Sequence, residues 1–184
     1  MSEQHINLIE GDTLVVQVVG SKAHADDKAE EVLLKIGGTN IYTNSEQSYV
    51  YFTSNLDVCN DGSGPEHGDP YHQAQTAYWN NGNFLNADVD RYVVVPPQIR
   101  AMVPGVVMGC QARATNLKTG VWSAGVIGDI GPETKTGETA YCLAKILNPE
   151  VTHNTGDDEL IYLYELWPDM PARVADKTYK LQPA

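Results

Sequence analysis

Hydrophobic and polar positions alternate in several stretches of the chain, and this pattern predicts a mainly β protein. Runs rich in β-branched and aromatic residues occur at "QSYVYFTSNLDV", "RYVVVPPQI", "GVVMGCQARAT", "VWSAGVIGDIG" and "ELIYLYELWPD". Glycine, proline and asparagine separate these runs, which is typical of consecutive strands in a sheet or barrel. The opening "HINLIEGDTLVVQVVG" predicts two further short strands joined at Gly11-Asp12. We therefore expect a small six-stranded barrel.

Two segments have the pattern of helices. In "ADDKAEEVLLKIGG" (25–38), acidic residues precede a lysine and an apolar cluster, and Gly37 is placed as a C-terminal cap. In "ETAYCLAKIL" (138–147), Asn148-Pro149 stops the helix. The apolar face of this second helix is predicted to consist of Ala140, Leu143, Ala144 and Leu147.

The pattern also indicates how the chain is organised. Residues 1–48 carry the first strands and helix and are expected to pack on the same domain as residues 49–184, which carry the candidate chemistry. Residues 60–90 are rich in Asn, Asp, Gly and His. A loop of this length in a compact domain is often a binding surface.

Composition narrows the class of protein. The net charge is −12, from 12 basic and 24 acidic residues, which disfavours nucleic acid as a partner and favours cationic ligands. There is no apolar run of membrane-spanning length, and the N-terminus lacks a basic segment followed by a hydrophobic one, so neither a membrane span nor a classical export signal is expected. The three cysteines have no CxxC spacing, so reduced thiols are favoured over a zinc site, with one disulfide still open.

The stretch "GVIGDIGPETKTGETAYCLAKIL" contains the main candidate chemistry. Asp129 follows a predicted strand, and Glu138 lies at the predicted start of a helix. The glycines and Pro132 between them allow a tight reversal that would bring both carboxylates to one mouth of a barrel. Such a pair can act as acid and base in glycoside hydrolysis. Alternatively, Asp129 caps a turn and Glu138 complements the helix dipole.

The residues "GDIGPETKTGETAYCLA" resemble the signature of the chitosanases of glycoside hydrolase family 75. In that family a Gly-Asp-x-Gly-Pro segment is followed by Gly-Glu and a helix of small residues. Upstream, "LDVCNDG" resembles the Asp-Cys-Asp-Gly turn of the family, and "DPYHQAQTAYWNNGNFLNADVDRYVVVP" resembles its Gln-x-x-Thr-Ala segment. The resemblance covers roughly residues 50 to 165, whereas about 45 residues at the N-terminus do not align.

The resemblance implies roles for particular residues. Asp129 and Glu138 match the two catalytic acids of an enzyme that inverts anomeric configuration. Asp57 and Asp61 match the acidic turn approximately, because Asn60 is inserted, and three uses stay open: binding a glucosamine ammonium group, ordering the loop, or forming a turn without a ligand. No glutamate follows at the spacing of a calcium-binding loop.

The same matched segments suggest the substrate-binding residues. Gln75 and Tyr78 are candidates there, and other aromatic residues that could stack on sugar rings are Tyr71, Trp79, Phe84 and Trp122. His67 and His72 lie in the same region, but their spacing does not define a metal site. No cofactor or metal is expected.

The tight strand–turn–helix crossing at the acid motif leads us to favour a double-psi-like barrel.

The expected function is endo-hydrolysis of β-1,4 bonds in chitosan, a cationic glucosamine polymer that suits an acidic cleft. Two alternatives remain, a peptidoglycan glycan-strand hydrolase or lyase and a non-catalytic carbohydrate-binding or tail-associated module. By analogy with the family, the protein would be secreted and would act extracellularly or at a cell wall. If the analogy does not hold, the cytoplasm is expected.

The two acids are expected to have different roles. The helix N-terminus would favour the ionised form of Glu138, which suits the base, and burial would raise the pKa of Asp129, which suits the acid.

Overall fold

The computed structural model describes residues 31–44 and 48–183, which form a mainly β protein with two short helices. The two strands predicted within residues 5–20 lie outside the described residues. The helices are α1 (Pro97–Met102) and α2 (Tyr141–Leu147). The strands are β1 (Glu31–Ile36), β2 (Thr39–Thr43), β3 (Val50–Cys59), β4 (Trp79–Asn80), β5 (Asn83–Phe84), β6 (Tyr92–Val95), β7 (Cys110–Asn116), β8 (Trp122–Ile130), β9 (Glu138–Ala140), β10 (Asp157–Pro171), β11 (Arg173–Val174) and β12 (Lys177–Thr178).

Six strands close into a barrel in the order β3–β10–β7–β8–β6–β9, and β9 pairs back onto β3. The β3–β9 and β6–β8 pairs are parallel, and the other pairs of the barrel are antiparallel. Each parallel pair requires the chain to cross over before it returns to the sheet. The predicted mainly β fold, with a six-stranded barrel and two helices, is confirmed.

The helix predicted over residues 25–38 is wrong where the structure describes it. Glu31–Ile36 form β1, which pairs with β2 through an antiparallel hairpin in which Ile36 lies opposite Thr39. Gly37 and Gly38 occupy the two-residue turn with φ of +54° and +96°. A turn with two positive φ angles matches the twist of a hairpin, so this glycine pair joins two strands and does not cap a helix.

The hairpin β1–β2 belongs to the same sheet as the barrel. β2 continues the sheet at β3, where Tyr42 pairs with Tyr51. The described part of residues 1–48 is therefore hydrogen-bonded to the barrel and packs its Ile36 and Ile41 into the common core.

The second predicted helix is present but begins later than expected. Leu143, Ala144 and Leu147 are buried as predicted, and Asn148 ends the helix. Ala140 and Glu138, however, belong to β9, which pairs in parallel with β3. The other helix, α1, begins at Pro97, where the sequence pattern indicated only a break between strands.

The polar stretch 60–90 is an ordered excursion from the barrel. Gly62 N–H donates to the Gln73 carbonyl and Ser63 N–H donates to the Leu85 carbonyl, at 2.8 Å each. These bonds fold the stretch back on itself, so its first half lies beside the mouth of the barrel.

No helix among residues 31–44 and 48–183 combines the length and the apolar character needed to cross a membrane.

Candidate active site

A cleft of about 860 Å³ opens where β3, β8 and β9 meet the excursion 60–90. The described residues that line it include one lysine, Lys135, and several carboxylates, so this lining is strongly acidic. The carboxylate residues that line it are Asp57, Asp61, Asp69, Asp129 and Glu138.

A β-bulge directs Asp129 into this cleft. Val93 pairs with Ile127 across β6 and β8, but the next residue, Val94, pairs with Asp129, which leaves Gly128 unpaired. Bulges re-aim the side chain that follows them. The site requires glycine, because a β-carbon at residue 128 would lie 2.5 Å from Leu85 Cδ1 and 2.5 Å from Tyr92 Cβ.

Glu138 lies beside Val94 on the side opposite to Asp129. Thr139 pairs with Val93 in the antiparallel β6–β9 pair, and one step along this pair brings Glu138 opposite Val94. Directly opposite residues share a face of the sheet. A β-carbon at Gly131 would lie 2.9 Å from Val94 Cγ1 and 3.4 Å from Glu138 Oε2, so the turn after Asp129 packs against the glutamate.

Asp57 extends this row by one strand. It pairs with Glu138 in the parallel β3–β9 pair, and its backbone N–H donates to the Gly137 carbonyl at 2.7 Å. Asp57, Glu138, Val94 and Asp129 therefore form one transverse row, and all four line the cleft.

The segment 76–78 holds Asp129 in place. The Ala77 and Ile130 N–H groups donate to Asp129 Oδ1 at 2.8 and 2.9 Å. Tyr78 N–H donates to the carbonyl of the bulged Gly128 at 2.9 Å. The Oδ2 oxygen takes part in neither bond to Asp129, so one oxygen is fixed by the backbone and the other is available to a ligand.

Burial shifts the proton affinities of the two central acids. It raises the pKa of Asp129 to about 6, against the lowering effect of the Ala77 and Ile130 hydrogen bonds. It raises the pKa of Glu138 to about 7, with the Asp57 charge as the next cause. Perturbed carboxyl groups in a cleft are typical of proton-transfer sites. The burial expected for Asp129 is found, whereas the helix N-terminus expected at Glu138 is absent because this residue lies in β9.

Asp57 and Asp61 stand beside the central acids. Asp57 accepts from Asn55 Nδ2 at 2.8 Å, and Asp61 accepts from Gln73 N–H at 2.6 Å. Burial raises the pKa of each, while the Lys135 charge lowers that of Asp57 and the Gln73 hydrogen bond lowers that of Asp61. Asp61 is thus a turn-ordering residue that also faces the cleft.

The structure places the other predicted binding residues differently. Tyr78 is 3% exposed and packs edge-on against Tyr179, outside the residues that line the cleft. Gln75 is exposed and lies outside the cleft lining as well.

The aromatic residues that could stack on sugar rings lie in different places. Tyr71 is 86% exposed and lines the cleft. Trp79 borders a neighbouring smaller cleft of about 440 Å³, and Trp122 packs against Arg113.

Cys59 is a member of the site that the sequence pattern did not indicate. Its Sγ atom and carboxylate oxygens of Asp61 and Asp129 lie within 4.8 Å of one another. Tyr92 donates its hydroxyl to the Asp61 carbonyl at 2.8 Å, and the same oxygen lies 3.4 Å from Cys59 Sγ. Burial raises the pKa of the thiol far above its ordinary value. Metals bind the thiolate, so a neutral thiol here acts as a polar spacer between acids. All three cysteines of the chain are free.

Comparison of the sequence with protein-family models gives no match, and no curated protein is found to be similar to it.

Proposed function

We propose that this protein is a glycoside hydrolase that cleaves β-1,4 bonds in chitosan with inversion of configuration. The observation that carries this proposal is the row in which Asp129 and Glu138 flank Val94 on the wall of an acidic cleft. The motifs that resemble the family 75 chitosanases contain both acids, in the order that the family has.

The separation of the two backbones leaves room for the water that inversion needs. The strands β8 and β9 are both neighbours of β6, so the two backbones are separated by two inter-strand steps of about 4.8 Å each. Inverting enzymes need about 6.5–9.5 Å between carboxyl groups to leave room for a water, and retaining enzymes need about 5–5.5 Å. Two acids in neighbouring positions of a single strand pair would stand too close for that water.

The pKa values favour Glu138 as the general acid and Asp129 as the general base. Glu138, with a pKa of about 7, retains its proton at a pH where Asp129, with a pKa of about 6, has lost its own. In this mechanism Glu138 protonates the leaving glycosidic oxygen while Asp129 Oδ2 takes a proton from the attacking water. These roles are the reverse of the roles that the sequence pattern suggested, because the helix dipole invoked for Glu138 is not there.

The charge of the cleft favours a cationic glycan. Asp57, Asp61 and Asp69 line the cleft with the central pair, and Lys135 is the single lysine among the described residues that line it. The ammonium groups of glucosamine units would pair with these carboxylates, and the negative field would attract the polymer over a distance. Because such polymers lie outside cells, we place the proposed activity in the extracellular space or at a cell wall.

The shape of the surface favours action within a long chain. Ile130 borders both the main cleft and the smaller one that contains Trp79, so the two clefts adjoin. Tyr71 on one side and Trp79 on the other present exposed rings on which sugar faces could stack. A glycan that extends across Ile130 would contact both rings and would be cut internally.

A reducing-end assay on chitosan, chitin and peptidoglycan tests the proposal. Chitosan should be cleaved, and the rate should fall as acetylation or salt concentration rises, because both weaken ammonium contacts with the carboxylates. Equal activity on fully acetylated chitin would refute the chitosan specificity. Cleavage of peptidoglycan alone would assign the protein to the cell-wall class, and binding without cleavage of any of the three would identify a carbohydrate-binding module.

A further inference from the structure

A second cluster of ionisable side chains lies at the rim of the cleft. His67 and Asp88 both come from the excursion 60–90, and His153 comes from the segment between α2 and β10. One ligand atom from each of the three lies within 4.8 Å of the others. His67 Nε2 is 2.9 Å from Asp88 Oδ2, and His153 Nε2 is 3.6 Å from Asp88 Oδ1.

Asn60 sets the tautomer of His153. The Asn60 Nδ2 group donates to the His153 carbonyl at 2.8 Å and to Asp69 Oδ2 at 3.2 Å. If the amide of Asn60 were rotated by 180°, its Oδ1 atom would face these two acceptor oxygens and could not bond to either. Oδ1 is therefore the atom that lies 2.9 Å from His153 Nδ1. His153 Nδ1 is therefore protonated and donates this bond.

The other nitrogen of His153 then faces the carboxylate of Asp88 with a lone pair. In the neutral imidazole Nδ1 carries the only proton, so Nε2 has none. A lone pair directed at a carboxylate oxygen is repulsive unless a positive charge lies between them. The Nε2 atoms of His67 and His153 thus both lie close to the Asp88 carboxylate, and a cation bound between them would relieve this repulsion.

We propose that His67, Asp88 and His153 bind a divalent transition-metal ion, with zinc as the best match. Two imidazole nitrogens and one carboxylate are a common zinc donor set, and they leave a fourth position for water. The Nδ1–H bond from His153 to Asn60 is the outer-shell contact that usually fixes a ligating histidine. This site is separate from the Asp129–Glu138 pair and does not depend on the function proposed for that pair.

The packing of the rings shows which ligand must move. His153 lies between two rings, Tyr141 at a centroid distance of 3.6 Å and His67 at 3.5 Å, and the two imidazoles are inclined by only 14°. Parallel rings cannot both direct an in-plane lone pair at one ion. His153 is held by Tyr141 and Asn60, so His67, which is partly exposed, is the side chain that turns to complete the site.

The bound ion would join the excursion to the barrel. His67 has a positive φ of 51°, a conformation that is uncommon for residues other than glycine and needs support from its surroundings. His153 lines the cleft, so a metal bridge from it to His67 would fix one edge of the cleft. The ion would stabilise the folded protein, and this stabilisation would grow with the logarithm of the free ion concentration once the site is filled.

The test uses the full chain, freed of metal by chelation and dialysis, and titrated with ZnCl2 and CoCl2. Calorimetry should give one tight site, zinc should raise the Tm, and Co2+ should show the visible bands of a tetrahedral nitrogen and oxygen site. The variants His67→Gln, Asp88→Asn and His153→Gln should each weaken binding at least about tenfold. His72→Gln is the matched control, since His72 contacts Asn60 from outside the donor set, and it should retain the affinity.

Three results would overturn the proposal. The wild-type protein could show no tetrahedral Co2+ bands and no zinc-dependent rise in Tm, a result that does not rely on any variant folding. Binding could be unchanged in the three variants, which would place the ion elsewhere. Finally, thiolate-to-cobalt charge-transfer bands that disappear in Cys59→Ser would assign the ion to the cluster of Cys59, Asp61 and Asp129.

Discussion

Asp129 and Glu138 lie on opposite sides of Val94 in a single row across three strands of the barrel. They are nine residues apart in sequence, and each reaches the row by a different route. Asp129 arrives through the bulge at Gly128, and Glu138 arrives because β9 returns between β6 and β3. The row fixes how far apart the two backbones lie, and both side chains line the same cleft.

The first prediction concerns the two acids themselves. Asp129→Asn and Glu138→Gln preserve side-chain shape but remove the base and the proton donor, so each should lower kcat on chitosan by about 10²–10⁴-fold. Reducing-end kinetics and circular dichroism measure turnover and fold in the same samples. Glu159→Gln is a matched control, because Glu159 is exposed and pairs with Lys118 outside the cleft. Full activity in either cleft variant would show that the pair is not catalytic.

The second prediction concerns pH. With Asp129 as base and Glu138 as acid, the kcat/KM profile should be bell-shaped, with limbs near the pKa values of about 6 and about 7 and a maximum between them. The measurement is initial rate against pH at constant ionic strength. A plateau that extends well above this range would contradict the role of Glu138 as acid.

Neighbouring carboxylates should move these two limbs differently. The Asp57 charge raises the pKa of Glu138 after burial does, so Asp57→Asn should move the basic limb to lower pH and leave the acidic limb in place. The Asp61 charge raises the pKa values of both Asp129 and Glu138, so Asp61→Asn should move both limbs to lower pH. Both asparagines retain the oxygen that accepts the native hydrogen bond. Crossed effects, with Asp57→Asn acting on the acidic limb, would reverse the assignment of acid and base.

The buried Glu138 should make the fold less stable at high pH. Folding raises the pKa of Glu138 from 4.5 to about 7. The stability that the protonated side chain contributes to the fold is therefore fully present below the unfolded pKa and is lost as pH rises through the folded pKa. Glu138→Gln should therefore increase the free energy of unfolding at about pH 8 by up to roughly 3 kcal/mol, with a much smaller difference at about pH 5. Urea denaturation at the two pH values measures this. A variant that is equally destabilised at both would show that the carboxylate has a structural role.

The last prediction concerns the bulge. Gly128→Ala would bring a β-carbon to 2.5 Å from both Leu85 Cδ1 and Tyr92 Cβ, and overpacking of this kind costs about 1–3 kcal/mol. The displaced bulge would also misdirect Asp129, so activity should fall more than stability alone explains. Gly125→Ala on the same strand is the control, since its nearest atom would be Arg91 O at 3.2 Å. If Gly128→Ala and Gly125→Ala lowered kcat equally, the bulge would have no special role in placing Asp129.

Local sequence was sufficient for the parts of this protein that are stabilised by near neighbours. Runs of β-branched and aromatic residues bounded by glycine, proline and asparagine predicted β3, β6, β7, β8 and β10, because such side chains favour strands wherever these pair. The apolar spacing before Asn148-Pro149 predicted α2, and the acid-bearing turn identified Asp129 and Glu138 as the residues to examine. In each case the signal lies within a few positions of the residue it describes.

Tertiary pairing decided the rest. Glu31–Ile36 carry a helical pattern of acids and apolar residues, yet they form β1, because a strand partner follows directly after the Gly37-Gly38 turn. Glu138 belongs to a strand because β3 and β6 offer hydrogen bonds on both sides of it. Local propensity is a weak preference that such pairing overrides.

The chemistry of the site depended on tertiary structure in the same way. The sequence named the two carboxylates, but their raised pKa values come from burial, and Glu138 lacks the helix N-terminus on which its expected role as base rested. Tyr78 was expected to bind substrate, and it is a core residue whose backbone holds the bulge behind Asp129. His67 and His153 are 86 positions apart in the printed sequence, so no spacing rule could join them to Asp88. Proton affinity and ligand geometry depend on what surrounds a side chain, and for this protein those surroundings come from segments that are distant along the chain.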